Sequence, residues 1–231
     1  MFALFSILTA SFQEFFIITI LIIIHEIGHS LMAYIFKIEI KEIYIYPLGG
    51  ISKLKIDLNI NPIKEFLILI MGPLFQLLGS FILIRIMPYN KEIINIYNYG
   101  ILGFNLLPIY PLDGGKLLKI VLDNFITYKN SFKLTIIISY LIVFIIWLIN
   151  KSTINILVMI SFLVLLITKE KSKLNYYYQK FILERYLNNY KFKNSKIISN
   201  DNNFYRNKKH IIKSNDKYYL EREYLEKMYK K

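Results

Sequence analysis

Five consecutive residues, His25-Glu26-Ile27-Gly28-His29, form an HExxH motif. Residues four apart share one face of a helix, so His25 and His29 can bind one metal ion, with Glu26 beside them as a base for an attacking water. In the apolar stretch 15–36 these are the only histidine or charged residues. Because a charged side chain at bilayer depth costs roughly 2.5–3.5 kcal/mol, the motif predicts a zinc hydrolase site inside a membrane.

A catalytic zinc site needs one more protein ligand than HExxH supplies. The chain has no cysteine, and its remaining histidine, His210, lies far away in a polar tail and is interpreted as a surface residue. Asp113 is the better candidate, because it lies in the Pro- and Gly-bounded segment 108–115, where irregular backbone can line a polar cavity. The predicted metal ligands are therefore His25, His29 and Asp113. The alternative for Asp113 is an ordinary Asp-Gly turn.

Glu26 and Asn105 are the predicted catalytic residues. Zinc held by two neutral histidines and a carboxylate lowers the pKa of a bound water towards about 7, and Glu26 can pass its proton to the leaving amine. Asn105 lies eight residues before Asp113, so on a continuous helix the two would share a similar face. Its amide could then contact the substrate backbone or the developing oxyanion. Polar packing between helices explains Asn105 nearly as well.

Apolar helices must hold these residues. The chain of 231 residues is 55% hydrophobic, and its apolar runs are long enough to span a bilayer core of about 30 Å. We predict an all-α polytopic membrane protein with about five to six transmembrane helices. The full spans lie at roughly 13–36, 62–87, 93–110, 134–149 and 153–168. Residues 1–10 are too short to span and could end a shortened first helix.

The segment 37–51 has a different pattern. Isoleucines at positions 38, 40, 43 and 45 alternate with polar and aromatic residues, and Pro47 and Gly49-Gly50 follow. Such alternation closed by turn residues is typical of a strand and a tight turn. We therefore expect a small β-hairpin near the membrane surface.

Positive charge indicates the orientation. Residues 169–231 hold 17 of the 29 basic and 7 of the 16 acidic residues, which gives a local net charge of +10 out of +13. If this tail is cytoplasmic, the loops 37–62 and 114–133 lie on its side with four lysines each. The opposite loops, 88–92 and 150–152, have one lysine each. This distribution satisfies the positive-inside rule.

The chain is thus divided into a membrane domain, 1–168, and a basic cytosolic tail, 169–231. In the tail, 209–229 is predicted as a strand followed by a helix, and 188–207 as polar and loosely ordered. No nucleic-acid-binding motif accompanies the charge, so no nucleic-acid partner is expected. The absence of cysteine excludes disulfides and thiolate metal sites.

Several motifs together resemble the site-2 protease family, the M50-type intramembrane zinc metalloproteases. They are the HExxH, the mid-span Gly72-Pro73 and the segment 105–115. Within the family the chain is most similar to the stage IV sporulation factor FB type. The shared features are LxxxHExGH at 21–29, Pro-x-Gly-Gly at 47–50 and Phe-Ile-Leu-Glu-Arg-Tyr at 181–186. The resemblance covers most of the chain, and the joint occurrence of these motifs is highly specific.

The resemblance implies a Zn²⁺ cofactor and cleavage of a protein substrate within or next to the membrane. In the sporulation branch the substrate is the precursor of a late mother-cell sigma factor, and membrane-embedded partner proteins restrain the enzyme. We therefore expect such partners and a mother-cell-derived bacterial membrane, while a homo-oligomer is left open. The branch also has a full helix before the HExxH helix, which only 1–9 could represent here. Its nucleotide-sensing CBS domain would survive in 209–229 only as a truncated remnant.

Two other functional classes are compatible with the same ligands. A metal transporter or membrane metal-binding protein would place them on a through-path, often with internal repeats, and the sequence contains no repeat. Substitution of Glu26 by Gln separates this alternative from a protease, which would lose activity and keep its metal. A non-catalytic scaffold predicts that ligand substitutions leave the phenotype intact. Gly72-Pro73 is interpreted as a kink that lets helices approach closely.

Overall fold

A computed structural model describes residues 12–38, 40–46, 49–54, 57–149, 154–188, 190, 192, 194–199, 203–214 and 217–229. The predictions for 1–10, for the turn residues 47–48 and for the 150–152 connection lie outside these residues. The chain divides into two compact units. One comprises Met1–Ile56 and Pro62–Leu107, and the other comprises Asp57–Asn61 and Pro108–Lys231.

Among the described residues, the first unit contains three α-helices and a β-hairpin. In chain order they are α1 (Phe12–Ile35), β1 (Ile40–Tyr46), β2 (Gly49–Leu54), α2 (Pro62–Ile86) and, after a short 3-10 turn at Pro88–Asn90, α3 (Lys91–Leu106). The strands pair antiparallel, with Tyr46 opposite Gly49 and Ile43 opposite Ser52. The predicted hairpin is confirmed, and its second strand runs to Leu54 rather than ending at 51.

Helices α1 and α2 approach each other closely because glycine removes side chains from their contact. A Cβ atom added at Gly28 would lie 2.8 Å from the Cβ of Phe75 and 2.9 Å from the carbonyl carbon of Met71. No substituted residue fits at that separation, so Gly28 fixes how near the HExxH helix can lie to α2. Small residues at helix contacts are the usual solution in membranes, where close packing holds helices together.

In the part of the second unit that the structure describes there are five α-helices and a three-stranded sheet. Its elements are α4 (Asp113–Phe125), α5 (Tyr128–Ile149), α6 (Ile154–Ser172), α7 (Leu174–Leu187), β3 (Asn194–Ile198), β4 (Lys208–Ser214), β5 (Lys217–Leu220) and α8 (Glu221–Tyr229). The strand order is β3-β4-β5, with β3 parallel and β5 antiparallel to β4. A buried cluster that includes Tyr128, Phe181, Phe204 and Leu225 forms its core.

The tail prediction is right in one part and wrong in another. The strand and helix expected within 209–229 are present as β4 and α8, with β5 between them. The segment expected to be loosely ordered contains β3, which pairs with β4. Only Ile198 of β3 is buried, so the strand carries no alternating hydrophobic pattern that the sequence could reveal.

Three of the described helices are long and apolar enough to cross a membrane, namely α1, α2 and α5. Of the five to six predicted spans, three are therefore confirmed among the described residues. Helix α3 has 16 residues, about 24 Å, and α6 has 15 residues, about 22 Å, before the charged group that starts at Lys169. Both are shorter than a bilayer core of about 30 Å.

The prolines of segment 108–115 break the helix, as predicted, but earlier than expected. Helix α3 ends at Leu106 and α4 begins at Asp113. The expectation that Asn105 and Asp113 share a helix face is therefore wrong, because no continuous helix joins them. The turn between them packs closely on α4, since a Cβ at Gly115 would collide with the backbone of Ile109 and Tyr110.

The tail holds the short loop that precedes α2. Asn59 donates to the carbonyl oxygen of Phe181 at 2.9 Å and accepts from Nε of Arg185 at 2.8 Å. Arg206 contacts both the carbonyl oxygen of Ile60, at 3.1 Å, and Asp123, at 3.2 Å. Groups in direct contact cannot lie on opposite sides of a bilayer. The loop 57–61, the end of α4 and the tail therefore share one side, in agreement with the predicted alternation.

Candidate metal centre

The two HExxH histidines converge on one point in the first unit. His25 and His29 are buried on α1, and their Nε2 atoms lie 3.0 Å apart. Glu26, on the same helical turn, is also buried. The helical spacing of the motif therefore produces the predicted pair of facing imidazoles.

The outer nitrogen of each ring identifies the tautomer. Nδ1 of His29 lies 2.8 Å from the carbonyl oxygen of Ile68, which can only accept, so this nitrogen carries a proton. Nδ1 of His25 lies 2.9 Å from Oε1 of Gln76. The Gln76 amide nitrogen donates to the backbone oxygen and to Oδ1 of Asn98, both at 3.1 Å, which fixes its oxygen towards His25. His25 is therefore protonated on Nδ1 as well.

The donor set fits a zinc ion. With Nδ1 of each ring turned to its own acceptor, the two Nε2 atoms face each other at 3.0 Å, and one metal ion can be bound by both. Two imidazole nitrogens on a tetrahedral zinc, with bonds of 2.0–2.1 Å, lie about 3.3 Å apart. The observed separation is close to this value, and imidazole nitrogen is a preferred zinc ligand.

Gly72 makes room for this pair. A Cβ atom added there would lie 2.9 Å from Nε2 of His25 and still closer to the ring of His29. The close approach interpreted at Gly72-Pro73 is confirmed at Gly72, where the approaching groups are the imidazoles, while the kink stays a prediction. Gln76 and Asn98 were missed. Their signal was available, since polar residues within apolar spans are functional candidates.

Asp113 and Asn105 each lie within their own unit. Asp113 is the first residue of α4 in the second unit, is buried, and has Nζ of Lys116 at 3.1 Å from Oδ1. A helix N-terminus favours a carboxylate. Asn105 is half-buried in the last turn of α3. Their assignments as ligand and substrate contact stay predictions.

His210 is a buried residue, and the surface interpretation is wrong. Its Nε2 accepts from the backbone N–H of Tyr205 at 2.9 Å, and its Nδ1 donates to Glu221 at 3.1 Å. Burial lowers the pKa of His210. Burial also raises the pKa of Glu221, but the hydrogen bond from His210 and the charge of Arg185 outweigh it and hold that pKa below its ordinary value. With both nitrogens engaged, His210 is a structural residue.

Comparisons with known proteins relate the chain to a peptidase family. Residues 13–92 match the model of Peptidase family M50. Stage IV sporulation protein FB of Bacillus subtilis is 29% identical over 192 residues, covering 78% of this chain and 66% of that protein. A zinc metalloprotease of Methanocaldococcus jannaschii is 28% identical over 171 residues, covering 69% of this chain and 49% of that protein.

A solved structure shares the fold. The site-2 protease from Methanocaldococcus jannaschii aligns with a TM-score of 0.57 at 23% identity, over 67% of this chain and 76% of that chain. The shared fold and the M50 match relate this chain to membrane proteins of the site-2 protease type. The chain carries a Peptidase family M50 domain, which confirms the predicted resemblance. It spans just under two thirds and about half of the lengths of the two curated relatives.

Proposed function

We propose that this protein is a zinc metalloendopeptidase that cleaves a protein substrate within or next to the bilayer. The observation that carries the proposal is the pair of Nε2 atoms 3.0 Å apart, beside the buried Glu26. The M50 match and the zinc metalloprotease among the relatives support the same reaction and the same metal.

His25, His29 and Asp113 would hold Zn²⁺. Bound there, zinc supplies Lewis-acid polarisation of the substrate carbonyl and a lower pKa for the attacking water. Glu26 takes the proton from that water and delivers it to the nitrogen of the leaving amine. For Asp113, the support is its burial, its place after the proline-induced break and the need for a third ligand. The half-buried Asn105 would bind the substrate backbone or the developing oxyanion.

The substrate would bind as a strand added to the hairpin. A helical substrate must unwind before its peptide bond is accessible, and pairing with β1 would hold it extended. Among the described residues β1 pairs with β2 only. Proline at Ile43 should impair cleavage while zinc stays bound, because it removes a backbone donor. Wild-type cleavage by Ile43→Pro and Ile45→Pro variants would contradict strand addition.

A sporulation sigma-factor precursor is the substrate that the 29% identity to stage IV sporulation protein FB supports. We place the enzyme in the bacterial cell membrane, with residues 169–231 in the cytoplasm. Membrane-embedded regulators belong to the same proposal, and a homo-oligomer stays open. The contacts that put the loop 57–61 and the tail on one side support this orientation.

Co-expression with a tagged sigma-factor precursor tests the proposal. Wild type should shorten the precursor on a gel, while Glu26→Gln and Asp113→Ala should not. Cleavage that persists in Glu26→Gln would contradict the assigned chemistry. Zinc binding without cleavage of this precursor would contradict the substrate and leave the metal site in place.

A further inference from the structure

We propose that Gln76 and Asn98 are positioning residues that hold the His25 ring in its metal-binding orientation and tautomer. The inference rests on the proposed zinc site. It concerns two side chains outside the HExxH motif, on the two helices that follow it. Neither residue would touch the metal or the substrate.

Both residues are buried in unusual places. Gln76 is 0% and Asn98 2% exposed, in the middle of α2 and α3. Burying an amide costs roughly 1–3 kcal/mol unless its hydrogen bonds are made. Here the Gln76 amide makes three, one to His25 and two to Asn98. The residues therefore form a complete polar connection through three apolar helices.

The connection has a fixed direction. Both hydrogens of the Gln76 amide point at oxygens of Asn98, one from the backbone and one from the side chain. Turning the amide over would place its oxygen against those two oxygens and its nitrogen against Nδ1 of His25. Asn98 therefore determines that Gln76 presents an acceptor, and that acceptor determines that Nδ1 of His25 carries the proton. The Nε2 lone pair is thereby kept available for a metal.

The two histidines differ in how they are held. His29 donates to a backbone oxygen, that of Ile68, which no side-chain substitution removes. His25 depends on a side chain 51 residues away in sequence. Partners that accept from the outer nitrogen of a metal-binding histidine fix the ring and raise its basicity, and losing one typically weakens metal affinity 10–100-fold.

The proposed role of Gln76 is tested by the zinc affinity of the detergent-purified protein. The affinity is measured by competition with a chromogenic chelator. Gln76→Met keeps the length and apolar fit of the side chain and removes the acceptor, so affinity should fall about 10–100-fold. Gln76→Glu keeps an acceptor towards His25 but sets its second oxygen against the oxygens of Asn98, so it should recover only part of the loss. Ser80→Ala is the matched control. Ser80 is buried one turn further along α2, its hydroxyl donates to Leu77, and its loss should leave zinc affinity unchanged.

The absorption spectrum of the cobalt-substituted protein gives a second readout. It should change in Gln76→Met and stay as in wild type in Ser80→Ala, because the first variant reorients a ligand. Zinc affinity and cobalt spectrum both equal to wild type in Gln76→Met would overturn the proposal.

If Gln76→Met fails to fold, the zinc affinity of the Asn98→Ala variant tests the proposal instead. It leaves the backbone acceptor in place and should weaken zinc binding by about three- to tenfold, the effect of one hydrogen bond. Unchanged affinity in that variant would overturn the proposal. Failure of the proposed function looks different: wild type would then bind no zinc, or bind zinc and cleave nothing.

Discussion

Two buried histidine sites in this protein have opposite arrangements. On α1, the partners of the two Nδ1 atoms are an amide oxygen and a backbone oxygen, both neutral, and the Nε2 atoms face each other. In the tail, His210 has both nitrogens engaged, and its neighbours Glu221 and Arg185 are charged and bonded to each other at 2.7 Å. Burial therefore does not separate a ligand from a structural histidine. The partners of the ring nitrogens do: on α1 the two Nε2 atoms face each other, whereas in the tail Nε2 of His210 accepts from a backbone N–H.

The difference has a physical reason. An acceptor at each Nδ1 directs both Nε2 atoms to one point, where a metal ion can be bound. In the tail the ion pair neutralises itself, and the histidine completes its hydrogen bonds. We therefore expect the first region to respond to metal and chemistry, and the second to stability and pH.

The largest effect should come from Glu26→Gln. The variant loses the proton acceptor while the imidazole pair is unchanged, so cleavage should fall by about 10²–10⁴-fold. Zinc content should equal wild type. A gel-based cleavage assay with metal analysis of the same preparation checks both. Normal cleavage would show that Glu26 is not the base, and loss of zinc would show that it shapes the metal site.

Gly72→Ala should disrupt the pair by crowding. The new methyl group would lie against both imidazole rings. We therefore expect zinc affinity to fall about 100-fold, at least as much as when a metal-binding histidine loses its hydrogen-bond partner. Gly103→Ala is the control, since a Cβ there meets nothing within 4 Å. Chelator competition measures both variants. Equal affinities in the two would contradict the close approach of α2 to the histidines.

Arg185→Leu should damage the tail and leave the metal centre intact. Its side chain is 1% exposed and paired with Glu221, so removing it leaves that buried carboxylate bonded to His210 but without its counter-charge, at a cost of about 3–5 kcal/mol. Arg222→Leu is the control, because that side chain is 68% exposed and should change stability by less than about 0.5 kcal/mol. Limited proteolysis and thermal unfolding should show the difference. Equal stability of the two variants would argue against the buried ion pair.

The smallest effect should be a pH dependence of tail stability. Because burial holds the pKa of His210 below that of the unfolded chain, about 6.5, its contribution is complete above that pH and is lost as pH falls. Glu184, whose pKa burial raises, acts in the opposite sense. The melting temperature of wild type should therefore drop more from pH 7.5 to 5.5 than that of His210→Gln. Equal drops would contradict the assignment.

The sequence predicted what depends on local spacing. The HExxH histidines face each other because a helix repeats every 3.6 residues, and Pro108 and Pro111 break α3 because proline lacks a donor. The sequence did not predict the features that depend on tertiary contacts. Gln76 and Asn98 are far apart in sequence and meet only through helix packing, as do His210 and Glu221. The expectation that Asn105 and Asp113 share a helix face was wrong because α3 ends between them.

The central claim is that the α1 pair is a metal centre. Elemental analysis of the detergent-purified protein after zinc loading and desalting tests it most directly, with wild type, His29→Ala and Glu26→Gln side by side. The account predicts one zinc per chain in wild type and in Glu26→Gln, and none in His29→Ala. Wild type without zinc, or His29→Ala that retains one equivalent, would contradict it.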